Sequence, residues 1–256
     1  MVNVQQANKE AWNKLVDAQN IWSIPVSHEI IESARNGKWQ VLLTPCKPVP
    51  NNWFPAMDNC DVLCLASGGG QQAPIFAAAG ADVTSFDNSP KMLEQDRIVA
   101  DREGLVIRTI EGNMADLSVF ENEQFDFIFN PVSNCFIPDL EPVWHETFRV
   151  LRKGGTMVVG FDNPIDFCFD AELAEKEIYT LKYSLPYSDL TSITEEERIR
   201  FFGKDEPIEF SHTFEKQIGG QLSAGFQLIG FFEDFWPDRK IKEFIPSFFA
   251  TRAIKP

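Results

Sequence analysis

Between residues 61 and 87 an apolar run, DVLCLA, is followed by a triple glycine and a helix-compatible stretch, then by a second apolar run, DVTSFD. No other stretch restricts the fold as strongly. Runs that are apolar on both faces read as buried strands, and joining two of them through a turn and a helix requires a parallel pair with a crossover. The rhythm then repeats. Ser89 caps PKMLEQDRIVADRE with Pro90 at its first position and Gly104 at its end, and LVIRTI follows as a third strand. FDFIFN reads as a fourth strand. A helix from Asp139 to Lys153 carries the stripe Leu140, Val143, Trp144, Phe148 and Leu151, closes at Gly154-Gly155 and feeds TMVVGF, the fifth strand. Parallel strands in such a series are joined by right-handed crossovers.

Near the end of the chain a helix is expected at 213–224, with Gly219-Gly220 marking a close contact or a bend. The strands AGFQLIGFFED and SFFATRAIK come after it, their connection bracketed by Pro237 and Pro246 and too poor in helix for a parallel crossover, so they should run antiparallel. The expected architecture is a Rossmann-like α/β sheet of seven strands, mostly parallel with an antiparallel last strand and helices on both faces. Length fits one domain: a helical lead-in at 1–60, a ligand-binding core at 61–162, an aromatic-rich insertion or lid at 163–211 and a C-terminal helix with strands at 212–256. In the lead-in, Val4, Ala7, Ala11, Trp12, Leu15 and Val16 form a helical stripe, and Ser27 opens a second helix ending near Gly37. In the insertion, Thr194 and Glu197 form a capping box for a helix ending at Gly203.

Composition narrows the function. A net charge of −15 repels phosphate backbones, which disfavours nucleic-acid partners. The opening residues are too polar for a signal peptide, and no apolar run reaches the ~20 residues of a membrane span, so a cytoplasmic protein without a membrane partner is expected. The cysteines at 46, 60, 64, 135 and 168 form no CxxC pair, and Ser67 stands where a third cluster ligand after Cys60 and Cys64 would fall. They read as reduced, mostly buried thiols, and no metal is expected.

Ligands of an open parallel sheet bind beyond the carboxyl ends of its strands, which places Ala66, Ser67, Gly68, Gly69 and Gly70 at the site. The glycines let backbone approach a ligand closely. Asp87 falls about 20 residues on, where an acid binds ribose hydroxyls. Gly68-x-Gly70-x-x-Ala73 also satisfies a dinucleotide fingerprint, so the turn and Asp87 by themselves fit either a nicotinamide cofactor or another adenine nucleoside.

The segments VLCLASGGG, VTSFDNSPKML, EGNMADL, FDFIFNPVSNCFI and LRKGGTMVVGF resemble the successive motifs of class I methyltransferases, particularly bacterial small-molecule enzymes, over 61–162. The resemblance implies S-adenosyl-L-methionine as donor and a small-molecule methyl acceptor. It implies that Ala66 to Gly70 hold the methionyl part, Asp87 the ribose, and Asn88 and Met92 the sugar and adenine flanks. Asn113 and Met114 would contact the adenine edge, while Asn130, Pro131, Val132 and Ser133 would line the approach to the sulfonium. The chain departs from the family pattern at Cys64, usually acidic, at Ala66, usually glycine, and at Asn113, often aspartate. Two alternatives stay open: an NAD(P)-dependent oxidoreductase, for which no Tyr-x-x-x-Lys pair is evident, and a protein that binds the donor without catalysis.

In-line methyl transfer needs alignment first and a base only when the acceptor carries a proton. His212, following the insertion, and Asp162, leaving the fifth strand, are the candidate catalytic residues. The insertion aromatics, Phe167, Phe169, Tyr179, Tyr183, Tyr187, Phe201 and Phe202, fit either a lid over an apolar acceptor or ordinary core. Neither the acceptor nor the oligomeric state is fixed by these features.

Overall fold

The computed structural model describes residues 2–256. Helix α1 (Val4–Asp17), capped by the Asn3 side chain on the Gln6 amide, and α2 (His28–Arg35) form the lead-in. Then come β1 (Asp61–Leu65), α3 (Gln72–Ala78), β2 (Asp82–Asp87), α4 (Pro90–Glu103), β3 (Ile107–Glu111), β4 (Phe125–Asn130), α5 (Glu141–Val150) and β5 (Leu151–Asp162). The segment 163–211 holds α6 (Ala171–Ala174), β6 (Tyr187–Ser188), α7 (Glu195–Phe201) and β7 (Phe210–Ser211). A π-turn at Glu215–Gly219, α8 (Gly220–Ala224), β8 (Gln227–Asp234) and β9 (Phe248–Ile254) end the fold.

Strand order is β3-β2-β1-β4-β5-β9-β8. The first five strands are parallel, β9 is antiparallel to β5, and β8 is antiparallel to β9, as the proline-bracketed connection implies. Order reverses at β1, so the chain leaves β1 and β4 toward opposite flanks and opens a crevice at their carboxyl ends. Alternation along the central strands divides the core. Val62, Cys64, Phe127 and Phe129 pack with Phe76 and Val41 on one face, while Leu63, Leu65 and Ile128 pack with Trp144 and Phe161 on the other.

Two elements differ from the sequence expectation. Helix α5 ends at Val150 rather than Lys153, because Leu151 already pairs with Phe125 as the start of β5. The helix end is covered from the far end of the chain: Lys255 Nζ donates to the carbonyls of Phe148 and Leu151 at 2.9 and 2.7 Å. The helix expected at 213–224 runs continuously over 214–224, but its Glu215–Gly219 stretch is π-helical rather than α-helical. A Cβ on Gly220 would lie 2.4 Å from the Trp144 ring, so this glycine permits close helix packing. The Trp144 indole donates to the Lys216 carbonyl at 2.9 Å beside it.

The insertion is tied to the lead-in. Asn8 on α1 donates through Nδ2 to the Phe136 and Ile208 carbonyls at 2.8 and 3.0 Å, and its Oδ1 accepts from the Ile208 amide at 2.7 Å. Thr194 and Glu197 form the expected capping box of α7. No helix among the described residues is long and apolar enough to cross a membrane.

Candidate functional site

One cavity of about 610 Å³ lies along the carboxyl ends of the strands. Its wall passes from Gly112–Ala115 after β3, through Asp87 and Asn88 at β2 and Ala66–Gly68 at β1, to Pro131–Ser133 at β4 and Asp162 at β5. Neighbouring strands are about 4.8 Å apart, so Asp162 lies roughly 10 Å across the sheet from the glycine turn, on the side away from Asp87.

The turn after β1 is held by backbone. Ala66 donates to the Phe86 carbonyl at 2.8 Å while occupying a left-handed conformation, φ +48°, the geometry that explains glycine at this place in the family pattern. A Cβ on Gly68 would come within 2.8 Å of the Met92 side chain and 3.2 Å of Asp87 Oδ2. Asp87 accepts the amides of Ser89 at 2.8 Å and Gly68 at 3.1 Å, one on each oxygen. Each carboxylate oxygen keeps a further acceptor position for a ligand hydroxyl. Burial lifts this carboxyl to about 6, against the pull of those amides.

Gly69 and Gly70 lie beneath the cavity wall. A Cβ on Gly69 would meet the Trp22 carbonyl at 2.5 Å, and Gly70 packs against Pro25 while its carbonyl accepts from Val26 at 2.8 Å. Gln71 clamps the same lead-in segment, donating to the Ile21 carbonyl at 2.8 Å and the Ile24 carbonyl at 3.2 Å. Cys64 is buried, and burial pushes its thiol well up. The acid that β1 lacks has a counterpart under the turn. Asp96, from α4, accepts the Gly70 amide at 2.8 Å and the Ser85 hydroxyl at 2.6 Å, and burial raises it to about 7.

At the β3 end Asn113 Oδ1 accepts the Ala115 amide at 3.0 Å, so its side chain shapes the loop and leaves Nδ2 as the unengaged donor. Met92 and Met114 are buried in the wall, and Asn88 donates to the Gln5 carbonyl at 2.8 Å. At the β4 end Asn130 sits behind the wall. Its Nδ2 donates to the Leu65 carbonyl at 3.0 Å and Ser133 Oγ at 2.8 Å, joining the β1 and β4 ends, while its Oδ1 is buried without a partner.

The two candidate catalytic residues part company. Asp162 lines the cavity, and its Oδ2 is buried without a hydrogen-bond partner. Burial raises the carboxyl to about 6. His212 does not line the cavity. Its Nε2 lies 3.1 Å from the Asn134 carbonyl and 2.9 Å from the Ile137 carbonyl, bonds that require the proton on Nε2 and fix the loop after β4. Burial depresses its pKa.

The structure brings in residues that sequence reading missed. Glu209 lines the cavity close enough to Asp162 for repulsion, and burial followed by that charge lifts it to about 8. Trp12, Trp22, Phe136, Trp236 and Phe248 supply aromatic wall, whereas none of the insertion aromatics does. Gly112 belongs to the wall as well: a Cβ there would lie 2.1 Å from the Phe86 ring, and its place beside Asn113 in EGNMADL was the available signal.

A family profile described as a methyltransferase domain matches residues 63–159. An uncharacterized methyltransferase of Bacillus subtilis, YbaJ, is 46% identical over 97% of this chain and 97% of its own length. Among solved structures, an S-adenosylmethionine-dependent methyltransferase of Mesorhizobium loti superposes with a TM-score of 0.58 at 17% identity, over 79% of this chain and 94% of that one. One from Listeria monocytogenes, described as a probable member of the same class, gives 0.60 at 18% identity over 80% and 95%.

Proposed function

The chain belongs to the S-adenosylmethionine-dependent methyltransferases, and from that premise we propose how its cavity divides between the methyl donor and a small-molecule acceptor. The observation that carries the division is the continuity of one cavity from Asn113 and Asp87, past Ala66–Gly68 and Pro131–Ser133, to Asp162. Asp87 holds the ribose hydroxyls, Met92 and Met114 close on the adenine, and Asn113 offers its amide nitrogen to the ring edge. The turn at Ala66–Gly68 gives backbone contacts to the methionyl part. Gly69, Gly70, Asn130 and Asp96 support that turn from behind. The bound donor supplies an electrophilic methyl on a sulfonium. The chain aligns the acceptor with it: Pro131, Val132 and Ser133 confine the approach, and the aromatic wall excludes water.

His212 positions the loop carrying Asn134–Ile137, and Asp162 is the group placed to hold or take a proton from the acceptor. The insertion, tied to α1 through Asn8, closes the acceptor end. Free cysteines and the acidic surface fit a cytoplasmic enzyme acting on metabolites rather than on nucleic acid. S-adenosylhomocysteine is expected to raise the melting temperature of the full chain, and NADH to leave it unchanged. Stabilisation by NADH alone would overturn the donor assignment.

A further inference from the structure

The end of the cavity remote from Asp87 has a distinctive chemistry. Asp162 and Glu209 line it, the exposed Asp139 lines the same cavity, and among the described residues no Lys, Arg or His lines any part of it. Asp162 Oδ2 is buried without a partner. Among the described residues Glu209 has no hydrogen-bonding or ion-pair partner for its carboxylate; only its backbone is bonded, to Asp189. Arg239 lies within electrostatic reach of Glu209 but outside the lining, with its guanidinium 5.5 Å above the Trp236 ring. Two half-buried carboxyls without a facing cation are mutually repulsive, and a bound cation removes that cost.

Aromatic side chains stand among aliphatic ones in the cavity wall. Trp12 meets Phe136 edge-on at 5.3 Å, Trp236 meets Phe248 edge-on at 5.1 Å, and Trp22 lies 6.3 Å from Trp236. Such a wall takes an apolar body and attracts a cation to its ring faces. Metal binding fits the same acids less well, since no group of three ligating side chains converges among the described residues. The donor does not need them either, because Asp162 lies across the sheet from the groups that would hold it.

Resting on the methyltransferase reading, we propose that the acceptor is an amine with an apolar or aromatic body, its ammonium seated between Asp162 and Glu209, and that the reaction is N-methylation. The ammonium gives one proton to the carboxylate pair, which frees the nitrogen lone pair. The N–C bond to the donor methyl forms as the C–S bond breaks, and that bond's electron pair goes to sulfur. The product leaves as the methylated ammonium, and the proton on the carboxyl pair passes to solvent.

The test is calorimetry on the full chain saturated with S-adenosylhomocysteine, using 2-phenylethylamine, 2-(indol-3-yl)ethylamine and 2-cyclohexylethylamine, each against its matched alcohol and carboxylic acid. Amines are expected to bind about tenfold tighter than their alcohols, with the acids weakest. Glu209→Gln and Asp162→Asn should each weaken amine binding about tenfold while leaving S-adenosylhomocysteine affinity within about twofold. The proposal is overturned if alcohols or acids match the amines on all three skeletons, if no amine binds, or if neither substitution weakens the amine. Failure to bind S-adenosylhomocysteine would instead overturn the donor reading.

Discussion

The two ends of the cavity are built by different means. The end proposed for the donor is built largely from consecutive pieces of chain between Asp61 and Ala115, where each strand hands its carboxyl end to a turn, with residues of α1 and the lead-in beside them. The end proposed for the acceptor is gathered from α1, the loop after β4, the end of β5, Glu209 and the stretch before β9. Backbone positions are fixed by sheet register, whereas side-chain constellations from distant segments depend on how those segments pack. A cavity can therefore keep its donor end while its acceptor end is remodelled by changes far apart in sequence.

Asp96→Ala should have the largest effect and tests how firmly the donor end is supported. It strips partners from the buried Gly70 amide and Ser85 hydroxyl, for an expected loss of about 3 kcal/mol in denaturant unfolding. An unchanged midpoint would show that the turn stands without the acid from α4. Asp87→Ala should weaken S-adenosylhomocysteine binding by about tenfold to a hundredfold, since it removes charged acceptors for two hydroxyls. The same affinity in the variant and the parent protein would remove the ribose from this end of the cavity.

A pH series compares the two ends directly. Asp87 at about 6 and Asp96 at about 7 belong to the donor end, and Asp162 at about 6, Asp166 at about 7 and Glu209 at about 8 lie at or behind the acceptor end. All are raised by burial, so the folded chain keeps protons that the unfolded chain releases. Stability is then greatest below the ordinary carboxyl range and declines as pH rises through these values, so the melting temperature should fall between about pH 5 and pH 8. His212, depressed by burial, opposes this only at the acid side of the window. Glu209→Gln should flatten the upper part of the slope, and a slope unaltered by that change would show that Glu209 is not its source.

The smallest effect is expected at Ala66. Glycine accepts φ +48° without the alanine penalty but gains freedom in the unfolded chain, so Ala66→Gly should stabilise by up to about 1 kcal/mol, roughly 2–4 °C. A lower melting temperature would mean that the alanine methyl packs usefully against the cavity.

Legibility followed the same divide. The β1–α3–β2 unit, the Ser89 and Thr194 caps and the antiparallel final strands were readable because period, cap chemistry and connection length act within a few residues. The end of α5 was not, because the pairing of Leu151 with Phe125 sets it and Lys255 covers it from more than a hundred positions away. Nor was the π-turn ahead of α8, although the glycine pair marked the close approach to Trp144. At the donor end the motif residues fall on or just behind the wall. At the acceptor end chain position singled out His212, whose ring is engaged by two carbonyls, and passed over Glu209.

The sequence by itself determined the parallel sheet, the glycine turn at the crevice and the acid at the end of β2, since local patterns of apolarity, glycine and capping residues are enough to set them. Only the tertiary structure decided that Trp12, Trp22, Trp236, Asp162 and Glu209 share one cavity whose lining, among the described residues, holds no basic side chain. Side chains from separate elements meet through packing, and packing is a property of the folded chain that no window of sequence contains.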